Sequence, residues 1–339
     1  MKKFFFMTAA ATVLFAACQK TEVVYNEGPQ EIAMFAVNNL ATKAPVADAK
    51  FLDGDNMTVA AYNVTGSANY FPGTPFTNAG ETWKGNPTRY WPISTGDVTL
   101  SFLAVTETGG GNDKSSTTFD TTTPASKATV VLHGNNIRNQ NDLMYAVGQE
   151  THTTTDTYPK VELKFKHALS WINFTVNTNV SADVANITVK SITLNNAVTD
   201  GTLEVVYSNY DKKETPNVTA TWITRDEGAN LLVPNADGTA KADAVPVVKG
   251  TATTFGNGIL VLPSTNTNPS ATGFTVVYEM AMNGGVASQY TYTYEFDTKP
   301  VWAMAYKYIY NISINLTEIE VEPTVKTWEL ADGITADLN

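Results

Sequence analysis

The sequence predicts an all-β protein, and three observations carry that expectation. Short runs rich in Val, Ile, Thr, Tyr and Phe recur along the chain between clusters of Gly, Asn, Asp and Pro, the pattern of strands and turns in a sandwich or barrel. From Tyr306 to Leu316, the residues Tyr306, Tyr308, Tyr310, Ile312, Ile314 and Leu316 alternate with Lys307, Asn311, Ser313 and Asn315, Ile309 being the exception. Such alternation buries one face of a strand and wets the other. No stretch holds an uninterrupted helical period of useful length.

At the N-terminus, Lys2 and Lys3 precede an uncharged apolar run from Phe4 to Ala17, the layout of a secretory signal. Residues 1–17 are therefore expected to be a signal peptide. The run is too short to cross a bilayer of about 30 Å, and no later stretch approaches ~20 apolar residues. Cys18, the one cysteine, follows Leu14-Phe15-Ala16-Ala17, which resembles a lipobox with Cys18 carrying the lipid. The alternative is an unlipidated signal peptide that ends near a cysteine. A single cysteine in an exported chain has no disulfide partner and fits acylation better than packing. One acyl chain binds a membrane marginally, so a second source of retention is expected. Residues 18–30, mixing charge, Gly and Pro, read as a lipidated tether.

About 320 residues follow Cys18, enough by length for two domains with cores that need no disulfides. The polar, Thr-rich stretch Gly148 to Tyr158 lies near the midpoint, which places an N-terminal domain at 31–155 and a C-terminal domain at 156–339. Strand candidates run in order through Met57–Asn63, Val98–Thr106, Ala128–Leu132, Ile187–Leu194, Ile259–Leu262, Phe274–Met280 and Tyr290–Phe296. In Leu163–Val176, the residues Leu163, Phe165, His167 and Leu169 share one phase, and Ile172, Phe174 and Val176 continue in the other. A β-bulge, or a crossing between sheets near Ser170 and Trp171, explains such a slip. Thr106–Ser126 and Asn235–Ala244 read as exposed loops.

Composition excludes several classes of function. The chain is 43% hydrophobic and 16% charged, with a net charge of −11 and a pI near 4.8. Nothing in that balance offers a basic face to a nucleic acid or a Lys/Arg cluster to anionic lipid. His133, His152 and His167 are scattered without ligand spacing, and His167, in the apolar phase of its strand, reads as a hydrogen-bonded core residue. Asp53 and Asp55 lack the further spaced oxygen ligands of a calcium loop and read as a solvated turn. No nucleophile elbow, phosphate-cradling glycine loop or HExxH occurs. No cofactor, metal or catalytic set is therefore expected, and an exported glycan hydrolase is disfavoured because no catalytic pair can be named. The aromatic residues could form a sugar platform, but strand alternation makes them core residues first.

Several segments together resemble the fimbrillin family, the type V pilins and fimbrillin-like lipoproteins of Bacteroidales. After the lipoprotein signal comes a strand, Glu31–Leu40, followed by Ala41-Thr42-Lys43-Ala44, similar to that family's basic cleavage segment. Trp83, Tyr90-Trp91-Pro92 and Val98–Ala104 match its W…YWP…L-x-F-x-A run. Asp142-Leu143-Met144-Tyr145-Ala146 and Leu163–Ser170 resemble its DLM-x-A and F-x-H-A-L-S, and Trp328 after the Tyr-rich strand and Pro323 also fits.

The resemblance implies two transthyretin-like β-sandwich domains in tandem and assembly outside the cell by strand exchange. A trypsin-like protease would cut after Lys43, before Ala44, with Lys50 the second choice; the alternative is that Lys43 is an ordinary loop lysine. The exchangeable strand would present Ile32, Met34, Phe35 and Val37. An incoming strand satisfies the unpaired backbone and the apolar slot together. The tail residues Ile319, Val321, Val325, Trp328 and Leu330 are candidate donors, although Pro323 interrupts the ladder and the same segment could close its own C-terminal sheet. Implied partners are other pilin subunits, the protease, outer-membrane lipid through Cys18 and a host or bacterial surface receptor. The implied location is the outer membrane or surface fimbrium, with shaft, tip and anchor positions left open. The competing reading is a monomeric surface lipoprotein that binds glycan or another ligand through its loops.

Overall fold

Period-two burial follows the sequence most plainly in Gly201–Tyr207, where Gly201, Leu203, Val205 and Tyr207 are buried and the residues between them only half so. The computed structural model describes residues 29–37, 55–80, 82–106, 116–133, 142–153, 158–235, 240–265, 268–297 and 300–328. Among these, every regular element is a β-strand.

The largest sheet contains β1 (Met34–Val37), β2 (Asn56–Asn63), β3 (Ala68–Asn78), β4 (Trp83–Gly85), β5 (Val98–Thr106), β8 (Met144–His152), β9 (Val161–Lys164) and β10 (Lys166–His167). Its spatial order is β10-β8-β5-β2-β3-β4-β1-β9. One face wraps a core that includes Met34, Met57, Phe76, Trp83, Phe102 and Val161. The wrap brings β8 against β9 at Gly148, where a Cβ would stand 2.8 Å from the Glu162 carbonyl oxygen. Only glycine allows that approach. β5 is buried along its whole length because Leu100, Phe102 and Ala104 face this core while Leu103 and Val105 face another. That explains its nearly continuous apolar sequence.

The second core lies under a four-stranded sheet of β6 (Ser116–Phe119), β7 (Lys127–Leu132), β13 (Gly201–Tyr207) and β14 (Val218–Arg225), ordered β14-β13-β7-β6. Strands from both sides of residue 155 thus share one sheet through the β7–β13 ladder.

The remaining strands form a sandwich. One sheet holds β11 (Ser170–Asn177), β17 (Thr253–Thr254), β18 (Ile259–Val261), β21 (Tyr306–Ile314) and β22 (Ile319–Thr327). The other holds β12 (Ala185–Ala197), β15 (Ala229–Leu232), β16 (Val245–Val247), β19 (Gly273–Met282) and β20 (Ser288–Glu295). Phe174, Ile192, Phe274, Trp302, Tyr310 and Ile312 meet between them. In β21 the residues Tyr308, Tyr310, Ile312 and Ile314 are buried and Ile309 is not, as the alternation requires. The phase slip near Ser170 is a crossing between sheets: β10 pairs with β8, and β11 pairs with β21.

Two local readings change. β6 lies inside Thr106–Ser126, where polar composition conceals a strand paired with β7. Asp55 is buried, not solvated, and its carbonyl accepts the N–H of Asn78 at the end of β3 (2.8 Å), which ties it into the sheet; Asp53 lies outside the described residues. At Gly256 the backbone has φ +60°, and a Cβ would fall 2.2 Å from the Pro234 carbonyl oxygen. Left-handed strain and overpacking add there, so Gly256→Ala is expected to lower stability by at least about 2 kcal/mol. A urea unfolding midpoint equal to that of the unaltered chain would contradict this.

Candidate assembly site

The first strand is held by few contacts. β1 runs parallel to β9 through Met34↔Val161, Phe35↔Glu162, Ala36↔Leu163 and Val37↔Lys164. Against β4 it makes one pairing, Met34↔Trp83. Just before β1, Ile32 N–H donates to the Arg89 carbonyl, Trp91 N–H to that of Gln30, and Val161 N–H to that of Ala33, each at 2.8 Å. Ile32 and Met34 are fully buried and Phe35 is half-buried. Of the residues expected to fill an exchangeable strand, Ile32 and Met34 therefore anchor the segment. Val37 keeps its ladder position opposite Lys164.

At the other end of the chain, β22 pairs antiparallel with β21 from Tyr306↔Thr327 to Ile314↔Ile319. It is the outer strand of its sheet, a place where Pro323 is tolerated. Ile319 and Val321 are half-buried against the sandwich core, and Val325 is exposed. In this conformation the tail closes its own sheet, so Ile319, Val321 and Val325 lie in a different sheet from β1. Cys18, Lys43, Ala44, Lys50 and Leu330 lie outside the described residues.

Trp328 leaves the edge and turns inward. Its N–H donates to the Ala305 carbonyl (2.8 Å), and its ring stacks on His167 at 3.7 Å and 16°, with Trp171 at 5.3 Å. His167 Nδ1 and Asp142 Oδ2 are 2.7 Å apart, and both side chains are almost wholly buried. Burial pushes the Asp142 carboxyl up, and the neighbouring His167 partly offsets that shift. Lys307 Nζ lies 3.7 Å above the Trp171 ring. Burial, then repulsion from Lys326, pushes its pKa down to about 8, while the ring face favours the charged form.

His167 is thus the hydrogen-bonded core residue that its phase predicted. Its partner and its stacked ring were not legible, since they come from segments 25 and 161 residues away along the sequence. The other histidines sit apart: His152 stacks on Tyr158 at 3.8 Å, and His133 approaches Asp200 at 3.5 Å. Among the described residues, no three metal-binding side chains converge.

A family model described as fimbrillin-like matches residues 42–328. The chain belongs to the fimbrillin-like family. The segments Asp142–Ala146 and Leu163–Ser170, which carried the resemblance, are those that supply the buried Asp142–His167 contact. No curated protein matches by sequence. Among solved structures, a fimbrial protein from Bacteroides vulgatus is 15% identical, with 88% of this chain and 99% of that one covered at a TM-score of 0.52. A candidate cell adhesion protein from Bacteroides uniformis is 19% identical, covering 88% and 98% at a TM-score of 0.48. The tip fimbrial protein Mfa3 from Porphyromonas gingivalis is 11% identical, covering 87% and 100% at a TM-score of 0.37. The first of these shares the fold. Membership makes this fimbrillin-like chain a structural pilus subunit and not an enzyme, one that assembles with other pilins in a cell-surface fimbrium.

Proposed function

We propose that this pilus subunit is exported as a lipoprotein acylated at Cys18, cut by a trypsin-like protease after Lys43, or failing that Lys50, and polymerised by strand exchange in the service of adhesion. In this reading the N-terminal domain, 31–155, carries the acceptor slot vacated by β1 together with β9, the strand that borders the slot from beyond residue 155. Residues 156–339 carry the donor tail with Ile319, Val321, Val325, Trp328 and Leu330, which must first leave β21. A receptor on a host or bacterial surface is the further partner.

The observation that supports the reading is the way β1 is held. It makes one pairing to β4 and four to β9, and the side chains of Met34 and, just before the strand, Ile32 are fully buried. Losing them costs about 1.5–3 kcal/mol each, and an incoming strand with apolar residues at alternate positions regains it.

Deleting residues 19–43 is expected to yield a chain that multimerises, with an added peptide of residues 31–40 returning it to monomer. Light scattering reads both. A deletion protein that keeps its β circular dichroism yet remains monomeric at high concentration would refute the exchange. Intact mass and N-terminal sequence of protein stripped from the cell surface test the processing step: a start at Ala44 is expected, and an acylated Cys18 start on polymerised subunits would exclude the cut.

A further inference from the structure

We propose that the outer edge of β20 is a self-complementary interface through which two copies of this chain pair side by side, separate from any head-to-tail exchange. An unpaired strand edge is a template for another strand, and proteins ordinarily defend it with shortness, charge, Pro or a bulge. Of the strands that end a sheet, β6, β9, β10, β15 and β17 have four residues or fewer. β22 is longer but carries Glu320, Glu322, Pro323 and Lys326. β14 meets β13 through a register shift between Thr202 and Leu203, which twists that edge.

β20 has none of these defences. Its eight residues, SQYTYTYE, are uncharged until Glu295. They follow β19 without a break from Gly273↔Glu295 to Met280↔Ser288, so the strand is regular along its length. Among the described residues nothing pairs with its other edge, and Ser288 to Thr291 are exposed. The strand is built from the β-branched and aromatic residues that favour a ladder.

The sequence also identifies the occupant. A two-fold antiparallel pairing that keeps the tyrosines on one face is centred on Tyr292. It sets Tyr290 opposite Tyr294 of the second copy, Thr291 opposite Thr293 and Gln289 opposite Glu295. Aromatic and Thr–Thr cross-strand pairs are favourable, and like charges are opposed nowhere. Tyr278 already stacks on Tyr290 at 5.4 Å and 21°, so that ring is held in place before any partner arrives. The closed pair continues the sheet β15-β12-β19-β20 into its copy, an isologous contact that uses the same patch twice. Because β1 and β22 take no part, such pairing would join subunits laterally.

The test uses the unlipidated chain from Gln19 to Asn339, with β1 in place so that strand exchange does not compete. Sedimentation velocity over a wide concentration range is expected to show a monomer–dimer equilibrium. Thr291→Lys with Thr293→Lys sets lysines opposite one another at both outer pairs and is expected to raise the dimer dissociation constant at least about tenfold. Both positions face outward, so the melting temperature serves as the folding control. Thr291→Cys with Thr293→Cys gives an independent reading, since opposed residues in a ladder lie about 4.5–5.5 Å apart at Cα, within disulfide reach. Oxidation is expected to trap a covalent dimer bridged between 291 and 293. A chain that stays monomeric throughout and forms no bridge overturns the proposal, as does a dimer that the lysines leave unweakened.

Discussion

Replacing His167 with Leu is expected to destabilise the folded chain by about 1–3 kcal/mol, the range for leaving a buried polar group without its hydrogen-bond partner. The change roughly keeps side-chain volume, so the loss combines the hydrogen bond to Asp142 with the stacking of Trp328 on the imidazole. Asp142 Oδ2 loses its 2.7 Å contact, and Oδ1 already has no hydrogen-bond partner. The carboxyl, already pushed up by burial, then loses the neighbour that offsets the shift. A carboxyl whose folded pKa is raised contributes stability that is full below its ordinary value of 3.8 and lost as pH rises through the folded value. The single variant should therefore weaken between pH 4 and pH 7 relative to Asp142→Asn/His167→Leu, which has no carboxyl to ionise. Chemical unfolding at both pH values measures the difference. Parallel pH profiles for the two variants would show that Asp142 is not the group left in distress.

That contact also shows where sequence reading stops. Strands such as β7 and β21 were legible because period-two burial is a local property, and β5 because an unbroken apolar run marks a strand with a core on each face. β3 was not, since Pro72, Gly73 and Pro75 interrupt its pattern. It survives as a strand because β4 pairs only with Phe76 to Asn78. The prolines therefore lie in a stretch with one ladder partner, β2, where a missing N–H is tolerated. β6 was hidden by its Thr-rich composition. The assembly site was half legible: Ile32 and Met34 are apolar at alternate positions, which marks a strand, but its parallel pairing with β9 joins segments more than a hundred residues apart. Likewise the meeting of Asp142 and His167 depends on the pairing of β10 with β8, and that of Trp328 with them on how a second sheet packs there; no spacing in the sequence encodes either.

Trp302→Ala is the substitution expected to damage the C-terminal sandwich most. Trp302 is 1% exposed, and Phe296 meets its ring edge-on at 5.8 Å and 89°. Truncating a buried aromatic to Ala costs about 3–5 kcal/mol through lost burial and the cavity left behind. Its Nε1–H donates to the Tyr310 hydroxyl at 3.2 Å, in a site where burial keeps that hydroxyl from ionising. Two bonds fix the backbone independently of the ring: Trp302 N–H donates to Ser264 Oγ (2.9 Å), and Ser264 N–H donates to the Trp302 carbonyl (2.8 Å). The segment should therefore stay in place when the side chain is cut, leaving a cavity that cannot collapse. Trp302→Phe separates the two contributions, since it retains much of the ring volume and leaves the Tyr310 hydroxyl without its donor. A loss of about 1–3 kcal/mol is expected there, combining one missing hydrogen bond with a small void. Urea unfolding of the two variants, followed by near-ultraviolet circular dichroism, reads both values. Equal losses would mean that the hydrogen bond, and not the filled volume, holds the two sheets together at this point.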